Sequence, residues 1–269
     1  MLAASDRTAG RAAELLGRLH GDGELLAVLT LRMWRSRGRG GIFSLLWPVV
    51  TPVFLLGVYY CAFGVILGLR RLPGEADYAL SMFCGMTVFN VFAESLQTGA
   101  VSLISRPGYV KNMTGDPEVL PLAAVGCAML TGLCWFAVVL AAAGYAGTLG
   151  SRLLRLPLIL PPWCAFCAGV ALFAGAISVF LRDFPQFAVL LQQGLFFLTP
   201  IVFPLSAVPE PLRFLILANP LTGFVEAFRA AVFGLPAAGT GTLWLCGFAV
   251  LLLGWGFFHR IRREVVDAV

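Results

Sequence analysis

The chain has 269 residues, of which 59% are hydrophobic and only 12% charged, and its formal net charge is +5. A soluble protein of this length needs far more charged side chains to solvate its surface, so the composition predicts an integral membrane protein. No basic stripe with interleaved aromatic residues occurs, which argues against nucleic-acid binding. The seven cysteines lie in apolar runs without a histidine partner, so no metal site is predicted.

Residues 1–41 form the only long polar stretch of the chain. Leucines and a tryptophan are interleaved there with arginines. This pattern predicts a cytoplasmic amphipathic helix that lies on the membrane surface. Arg35 ends this pattern, and the glycine-rich run from Arg37 through Arg39 then turns the chain into the bilayer. No compact apolar core with a small-residue cleavage site is present, so no cleavable signal peptide is predicted.

Six apolar segments follow, and each is long enough to cross a bilayer, which needs roughly 20 residues. They cover about 42–68, 78–105, 119–149, 157–181, 184–205 and 239–258. An even number of spans places both termini on one side. With both ends cytoplasmic, 13 of the 19 basic residues lie inside and six lie outside. The sequence therefore predicts an all-α protein with one six-helix membrane domain over 42–258 and a cytoplasmic tail at 259–269.

Two short, proline-led stretches lie within 205–238, before the last span. In the second, Asn219 is predicted to cap a helix whose first position is Pro220, where a missing N–H costs nothing. This helix has about 14 residues, too few to cross a bilayer. Its apolar face is predicted to comprise Leu221, Phe224, Val225, Phe228 and Val232.

Another face of this helix carries Thr222, Glu226 and Arg229, and the last two lie one turn apart, where they can form an ion pair. A full-length apolar segment followed by two short amphipathic ones predicts an external re-entrant helical hairpin that dips into the outer leaflet. The alternative is an ordinary external loop with an interfacial helix.

The sequence contains no motif for catalysis or nucleotide binding. A P-loop is absent, and the single lysine, Lys111, does not follow a glycine-rich loop. The two histidines, His20 and His259, flank the predicted spans, and the sequence pattern indicates neither paired carboxylates nor a nucleophile with a base. The chain is therefore not predicted to be an enzyme, and the energy for any work must come from a partner or a gradient.

Glu94 is the most conspicuous charge within a predicted span, and Asn90, Ser95 and Gln97 lie near it in sequence. Because a carboxylate inside the membrane is costly, Glu94 is expected to face a partner helix or a wet cavity. The alternative is that Glu94 lies near the inner membrane interface, where its carboxylate only caps a helix or forms an ion pair.

Several stretches together resemble ABC-2-type transport permeases. The run from Thr199-Pro200 to Glu210, followed by Asn219-Pro220-Leu221-Thr222 through Arg229, is similar to the C-terminal signature of that family. The resemblance is strongest to the branch that exports O-antigen, capsule and teichoic acid polymers. The Arg182-Asp183 turn resembles the charged turn that this branch carries before its fifth span.

Two further stretches extend this resemblance over nearly the whole chain. Residues 83–95 resemble the second span of the family, and 110–121 resemble its cytoplasmic loop. One departure stands in that loop, where Gly115-Asp116-Pro117-Glu118 lacks the aromatic and arginine residues that usually precede the leucine-proline pair.

The resemblance implies a half-transporter. Two copies of the chain would form a twelve-helix pore and bind two copies of a separate ATPase subunit, which holds ATP and magnesium, so this chain itself needs no cofactor. The implied cargo is a lipid-linked polysaccharide, moved outward across the bacterial inner membrane, where periplasmic partners can receive it. The alternatives are a drug or lipid exporter of the same type, or a membrane-embedded glycan enzyme or scaffold.

The implied substrate path needs arginines for a pyrophosphate head and aromatic faces for sugars. The candidates, together with Glu94, are Arg35, Arg37, Arg39, Tyr59, Tyr60, Phe83, Phe89 and Phe92. For each aromatic residue the alternative is packing against lipid.

The implied contact with the ATPase lies in the inside loop from Arg106 to Pro121 and in the later charged turn. The candidates are Asp116, Pro117, Glu118, Arg182 and Asp183. Asp116 is expected to cap a following turn, and Glu118 to lie in that turn, where an acid suits the helix dipole. The alternative is a solvated loop with a routine cap.

Overall fold

The computed structural model describes residues 23–36, 46–66, 78–106, 108, 116–203, 205, 208–235 and 239–268. Within these ranges the regular secondary structure is entirely helical, which confirms the predicted class. The first half of the predicted interface helix, Arg37, Arg39 and most of the inside loop before Asp116 lie outside the described residues.

The helices are numbered here in chain order. They are α1 (23–36), α2 (Trp47–Tyr59, continued by a π-helix at Tyr60–Ile66), α3 (Tyr78–Ser102), α4 (Val119–Tyr145), α5 (Leu156–Phe180, preceded by a 3-10 turn at Ser151–Arg155), α6 (Phe184–Leu198), α7 (Glu210–Ala218), α8 (Pro220–Phe233) and α9 (Thr240–Ala268).

Four helical stretches in the described part of the chain are long and apolar enough to cross a membrane: Tyr78–Ser102, Val119–Tyr145, Ser151–Phe180 and Thr240–Arg262. A fifth is obtained if the bent pair α7 and α8 counts as one span. Helices α2 and α6 are apolar but shorter. The predicted number of six spans is therefore not confirmed, and the ends of the first predicted span lie outside the described residues.

The fifth predicted segment, 184–205, ends earlier as a helix than expected. Helix α6 stops at Leu198, and Thr199 is extended, with φ −110° and ψ 135°. Thr199 precedes Pro200, and the proline ring disfavours helical backbone in the residue before it. A turn at 199–203 therefore replaces the last part of the predicted span.

Helix α8 confirms the prediction made from its cap and its periodicity. The Asn219 side chain accepts a hydrogen bond from the Leu221 backbone N–H at 3.1 Å, Pro220 is the first helical residue, and the helix has 14 residues. All five residues of the predicted apolar face are buried. Helices α7 and α8 meet at an angle of 88°, as in a broken span or a re-entrant loop.

Helices α5 and α9 approach each other most closely, because glycines face backbone atoms across their interface. A Cβ atom on Gly254 would lie 2.1 Å from the carbonyl oxygen of Gly169, and one on Gly247 would lie 2.3 Å from that of Pro162. Small residues at such contacts let helix backbones pack tightly within a membrane. Helix α3 is the most buried of the four long stretches and lies against α4, α5, α6 and α8.

Helix α1 is amphipathic, as predicted, over the part that is described. Leu29 is buried and belongs to one apolar cluster with Leu103, Leu120 and Phe258, while Arg35 is exposed. A Cβ on Gly126 of α4 would meet the Thr30 hydroxyl at 2.6 Å. The apolar face of α1 is therefore packed against the ends of α3, α4 and α9.

Candidate functional site: a polar cleft on the central helix

One face of α3 carries a row of polar side chains, called here the polar stripe: Thr87, Asn90, Glu94, Gln97 and Thr98. Their spacing of three and four residues places them on one side of the helix. At about 1.5 Å per residue the stripe is roughly 16 Å long.

The polar stripe forms one wall of a cleft of about 290 Å³. Helix α4 contributes Thr131, Gly132 and Trp135 to the opposite wall, and α6 contributes Gln192. A Cβ on Gly132 would lie 2.2 Å from a methyl group of Val91, so the glycine lets α4 approach α3 at this point. Three helices thus bring polar side chains together in one cleft of an otherwise apolar bundle.

Hydrogen bonds hold the walls of the cleft in place. The Thr131 hydroxyl donates to Oε1 of Glu94 at 3.4 Å, and the Thr98 hydroxyl donates to the Glu94 backbone carbonyl at 2.6 Å. The Gln97 amide donates to Oε1 of Gln192 at 2.7 Å, which joins α3 to α6. Glu94 therefore faces a partner helix and a cavity, in agreement with the expectation for a carboxylate at this position.

Ser95, the sequence neighbour of Glu94, does not belong to the cleft. It is fully buried, and its hydroxyl donates to the Val91 carbonyl at 2.7 Å. Adjacent residues on a helix point about 100° apart, so the neighbour of Glu94 in sequence does not line the cleft.

The three phenylalanines proposed for the sugar path are core residues within this chain, which corrects that expectation. Phe83 stacks on Trp135 with ring centroids 5.8 Å apart, while Phe89 contacts Phe196 and Phe92 contacts Phe166. All three are less than 5% exposed. Each ring is buried and contacts another aromatic ring, so the three residues stabilise the bundle around the cleft.

The two tyrosines differ in their surroundings. Tyr59 is half-buried, with its ring 6.3 Å from that of Phe63, whereas Tyr60 is 53% exposed at the start of the π-helix. Neither residue lines the polar cleft. Arg35 is likewise absent from the cleft lining and lies on the last turn of α1.

The acidic residues before α4 contact the end of α9. The Asp116 carboxylate accepts a hydrogen bond from Arg262, and the Glu118 carboxylate lies 3.8 Å from Nδ1 of His259. The His259 ring stacks on Trp255 with centroids 5.3 Å apart. Burial raises the pKa of Glu118, and the nearby Arg262 and His259 oppose that rise.

These contacts correct the expected cap. Glu118 occupies the N-cap position of α4 without a side-chain cap bond, and the Asp116 side chain binds Arg262 instead of a free N–H of the helix. Pro117 between them is buried. Arg182 and Asp183 lie in an exposed turn before α6, as their charge suggests.

The predicted ion pair of α8 is confirmed, with 3.0 Å between Nη1 of Arg229 and Oε1 of Glu226. The Arg229 guanidinium also donates to the backbone carbonyls of Ser81 at 3.0 Å, Pro200 at 2.6 Å and Ile201 at 2.7 Å. Arg229 is only 5% exposed. It therefore joins α8 to the start of α3 and to the turn after α6.

Gly85 makes room for this guanidinium, which sequence periodicity did not reveal. A Cβ at Gly85 would lie 2.8 Å from Nη2 of Arg229 and 3.0 Å from a methyl group of Val225. The sequence signal was a glycine inside an apolar helix. Such a glycine indicates that another group packs close to the helix backbone, but it does not identify that group.

Comparison with known proteins agrees with this architecture. The family model for the ABC-2 type transporter matches residues 24–233. Two relatives, from Klebsiella pneumoniae and Myxococcus xanthus, are both described as O-antigen export system permease protein RfbA. The first is 25% identical over 248 residues, covering 91% of this chain and 94% of the relative. The second is 26% identical over 257 residues, covering 91% and 95%.

The family model covers more than half of the chain, including α2 through α8 and all of α1 except its first residue. The long apolar helices require a lipid environment. The chain is therefore a multi-pass membrane protein that belongs to the ABC-2 type transporter family.

Proposed function

We propose that this chain is the permease subunit of an exporter that moves a lipid-linked polysaccharide outward across the bacterial inner membrane. The observation that carries the proposal is the similarity to O-antigen export permeases along 91% of the chain. The polar cleft supports it, because a hydroxyl-rich cargo needs hydrogen-bonding groups inside the membrane.

The transporter requires a second copy of the chain and two copies of a separate ATPase subunit. The second copy is what the resemblance to this permease family implies. The ATPase is required because the sequence contains no P-loop. Capsule and teichoic acid polymers are the other cargo classes that the resemblance to this branch allows.

The export function is tested by supplying the chain and its ATPase to cells that make a lipid-linked glycan but lack their own exporter. We expect glycan on the cell surface, detected with a glycan-specific antibody, only when both subunits are present. An ATPase variant unable to hydrolyse ATP is the control. Surface glycan without the permease, or export of a lipid or drug without glycan, would contradict the proposal.

In the membrane we place both termini in the cytoplasm and α7 and α8 in an external re-entrant hairpin. The arginine distribution and the 88° bend support this arrangement. Helices α2 and α6 serve as the first and fifth of six spans, with α2 lengthened by its π-helical continuation through Ile66.

Cysteine labelling tests this topology. Glu210 and Asp183 are both exposed at helix starts, but the proposed topology places them on opposite sides of the membrane. An impermeant thiol reagent added outside spheroplasts is expected to modify a cysteine at Glu210 and to miss one at Asp183 until the membrane is opened. Modification of the cysteine at position 183 from outside would show that the proposed orientation in the membrane is wrong.

Coupling to the ATPase is assigned to the segment around Asp116, together with the Arg182-Asp183 turn. Asp116 and Glu118 are tied to Arg262 and His259, so movement of this segment is transmitted directly to the end of α9. Residues 116–118 and the end of the last span thus move together at the proposed cytoplasmic end.

Charge reversal tests this coupling. Asp116→Arg, or Arg262→Asp, sets like charges against each other, and we expect a loss of export on the order of fivefold, equivalent to roughly 1 kcal/mol for a part-exposed pair. ATP hydrolysis is expected to continue. The double reversal should recover most of the loss. Arg260→Asp, an exposed position on the same helix, is the control. If the double reversal restores no export, the contact between Asp116 and Arg262 does not take part in coupling.

A further inference from the structure

We propose that a bilayer phospholipid binds behind the bent α7–α8 pair, with an acyl chain seated between α5, α6 and α9. The site consists of two cavities of about 480 Å³ and about 510 Å³. Both are lined by Asn219, Pro220 and Val250, so they adjoin and form one recess, called here the lipid groove. This inference goes beyond the proposed export function, since it concerns the membrane lipid around the chain and not the cargo.

The larger cavity is lined almost entirely by hydrocarbon. Helix α6 contributes Phe187, Leu191 and Leu195, which recur at helical spacing, and the facing wall from α5 and α9 includes Phe173 and Leu253. Among the described residues that line this cavity, the one polar side chain is that of the shared asparagine. Water finds no hydrogen-bond partners in such a space, so within a membrane the cavity is filled by hydrocarbon.

The length of the lipid groove matches one leaflet of a bilayer. Along α9 the groove extends from Thr242 to Gly254, which is about 18 Å at 1.5 Å per residue. The hydrocarbon layer of a single leaflet is about 15 Å thick, half of the whole core. An acyl chain from the leaflet on the side of the α7–α8 pair can therefore follow the groove towards the middle of the membrane.

The smaller cavity contains all the other polar side chains among the described residues of the groove: Thr222, Glu226 and Thr242. Glu226 is already paired with Arg229, and the Thr222 hydroxyl donates to a backbone carbonyl of α7 at 2.7 Å. Neither lysine nor arginine is among the described residues that line either cavity. The multiply charged head of a lipid pyrophosphate would find no cation here, whereas a phospholipid needs only its chain and glycerol esters accommodated.

A second copy of the chain can cover α6 without entering the lipid groove. Leu190 and Phe197 of α6 are 66% and 73% exposed and line neither cavity. They lie roughly 100–120° around the helix from Leu191. Phospholipid, in contrast, surrounds the chain at high concentration, so mass action favours its binding in the groove.

Native mass spectrometry of the purified full-length chain tests the proposal. The chain is purified in a steroid-based detergent, which has no alkyl chain to compete for the groove, and dioleoyl phosphatidylethanolamine is the probe. Ala249→Trp fills the smaller cavity, and Leu191→Trp fills the larger one. Leu252→Trp and Leu190→Trp are the matched controls, because each changes an exposed residue of the same helix that lines neither cavity.

The unmodified chain and both controls are expected to retain a bound phospholipid. Lipid added at about 100 times its dissociation constant should raise their thermal midpoint by roughly 5–10 °C, because it binds the folded chain and not the unfolded one. The two filled variants should retain no phospholipid, and their midpoints should not respond to it. If one filled variant fails to fold, the other decides; if both fail, the lipid retention and midpoint of the unmodified chain decide.

Absence of bound phospholipid from the unmodified chain, or equal retention by the filled variants, would overturn the proposal. A polyprenyl pyrophosphate that raises the midpoint more than phospholipid does at equal concentration would assign the groove to the carrier of the cargo instead. A filled variant with a lower molecular mass by light scattering would assign it to a second copy. The assay contains neither glycan nor ATPase, so its outcome is distinct from failure of the proposed export, which would show as absent surface glycan.

Discussion

Replacing Arg229 with methionine is expected to prevent stable folding of the bundle. The change removes the cation from a buried pair and leaves the carbonyls of Ser81, Pro200 and Ile201 without their donor. Breaking a buried ion pair by removing one partner costs about 3–5 kcal/mol. We expect little monodisperse protein by size-exclusion chromatography in mild detergent, and rapid degradation of the remainder in cells.

The chain contains a matched control for this experiment. Arg213 pairs with Glu210 at the same i, i+3 spacing and at 3.3 Å, but the two side chains are 40% and 91% exposed. Exposed pairs are worth about 0–1 kcal/mol, so Arg213→Met should fold and purify nearly as the unmodified chain does. Equal yields of the two variants would show that the Arg229 contacts are not a main support of the fold.

The second large effect is expected at the interface of α5 and α9. Gly254→Ala would place a methyl group 2.1 Å from the Gly169 carbonyl oxygen, which is a backbone atom and cannot rotate away. The two helices must therefore separate, and overpacking of this kind costs about 1–3 kcal/mol. The thermal midpoint in detergent should fall by roughly 2–4 °C for each kcal/mol lost.

Gly256, two residues further along the same helix, is the control for this substitution. Nothing lies within 4 Å of a Cβ built there, and alanine favours a helix over glycine by about 1 kcal/mol. Gly256→Ala should therefore leave the midpoint unchanged or raise it. If Gly254→Ala were equally harmless, the close approach of α5 and α9 would not limit stability.

The elements that were predicted correctly depend on residues close together in sequence. Asn219 and Pro220 start α8, and Glu226 pairs with Arg229 one turn later. Local geometry links such residues whatever surrounds the helix. The membrane class could also be predicted from the sequence, because it follows from composition alone.

The aromatic candidates illustrate what periodicity could not resolve. Phe83, Phe89 and Phe92 were expected to offer their faces to sugars, yet they are covered by rings from α4, α5 and α6. An apolar ring is equally suited to lipid, to the core or to a sugar. Only the neighbouring helices determine which of these it meets.

The length of α6 and the roles of Asp116 and Arg229 also depended on the folded structure. Arg229 reaches Ser81 across 148 residues, Arg262 reaches Asp116 across 146, and Gln97 reaches Gln192 across 95. The sequence by itself determined the membrane class and the short-range pairs, because composition and helical spacing encode them. The tertiary structure alone decided which distant polar groups meet, since a buried charge or amide takes whichever partners the packed helices bring within hydrogen-bonding distance.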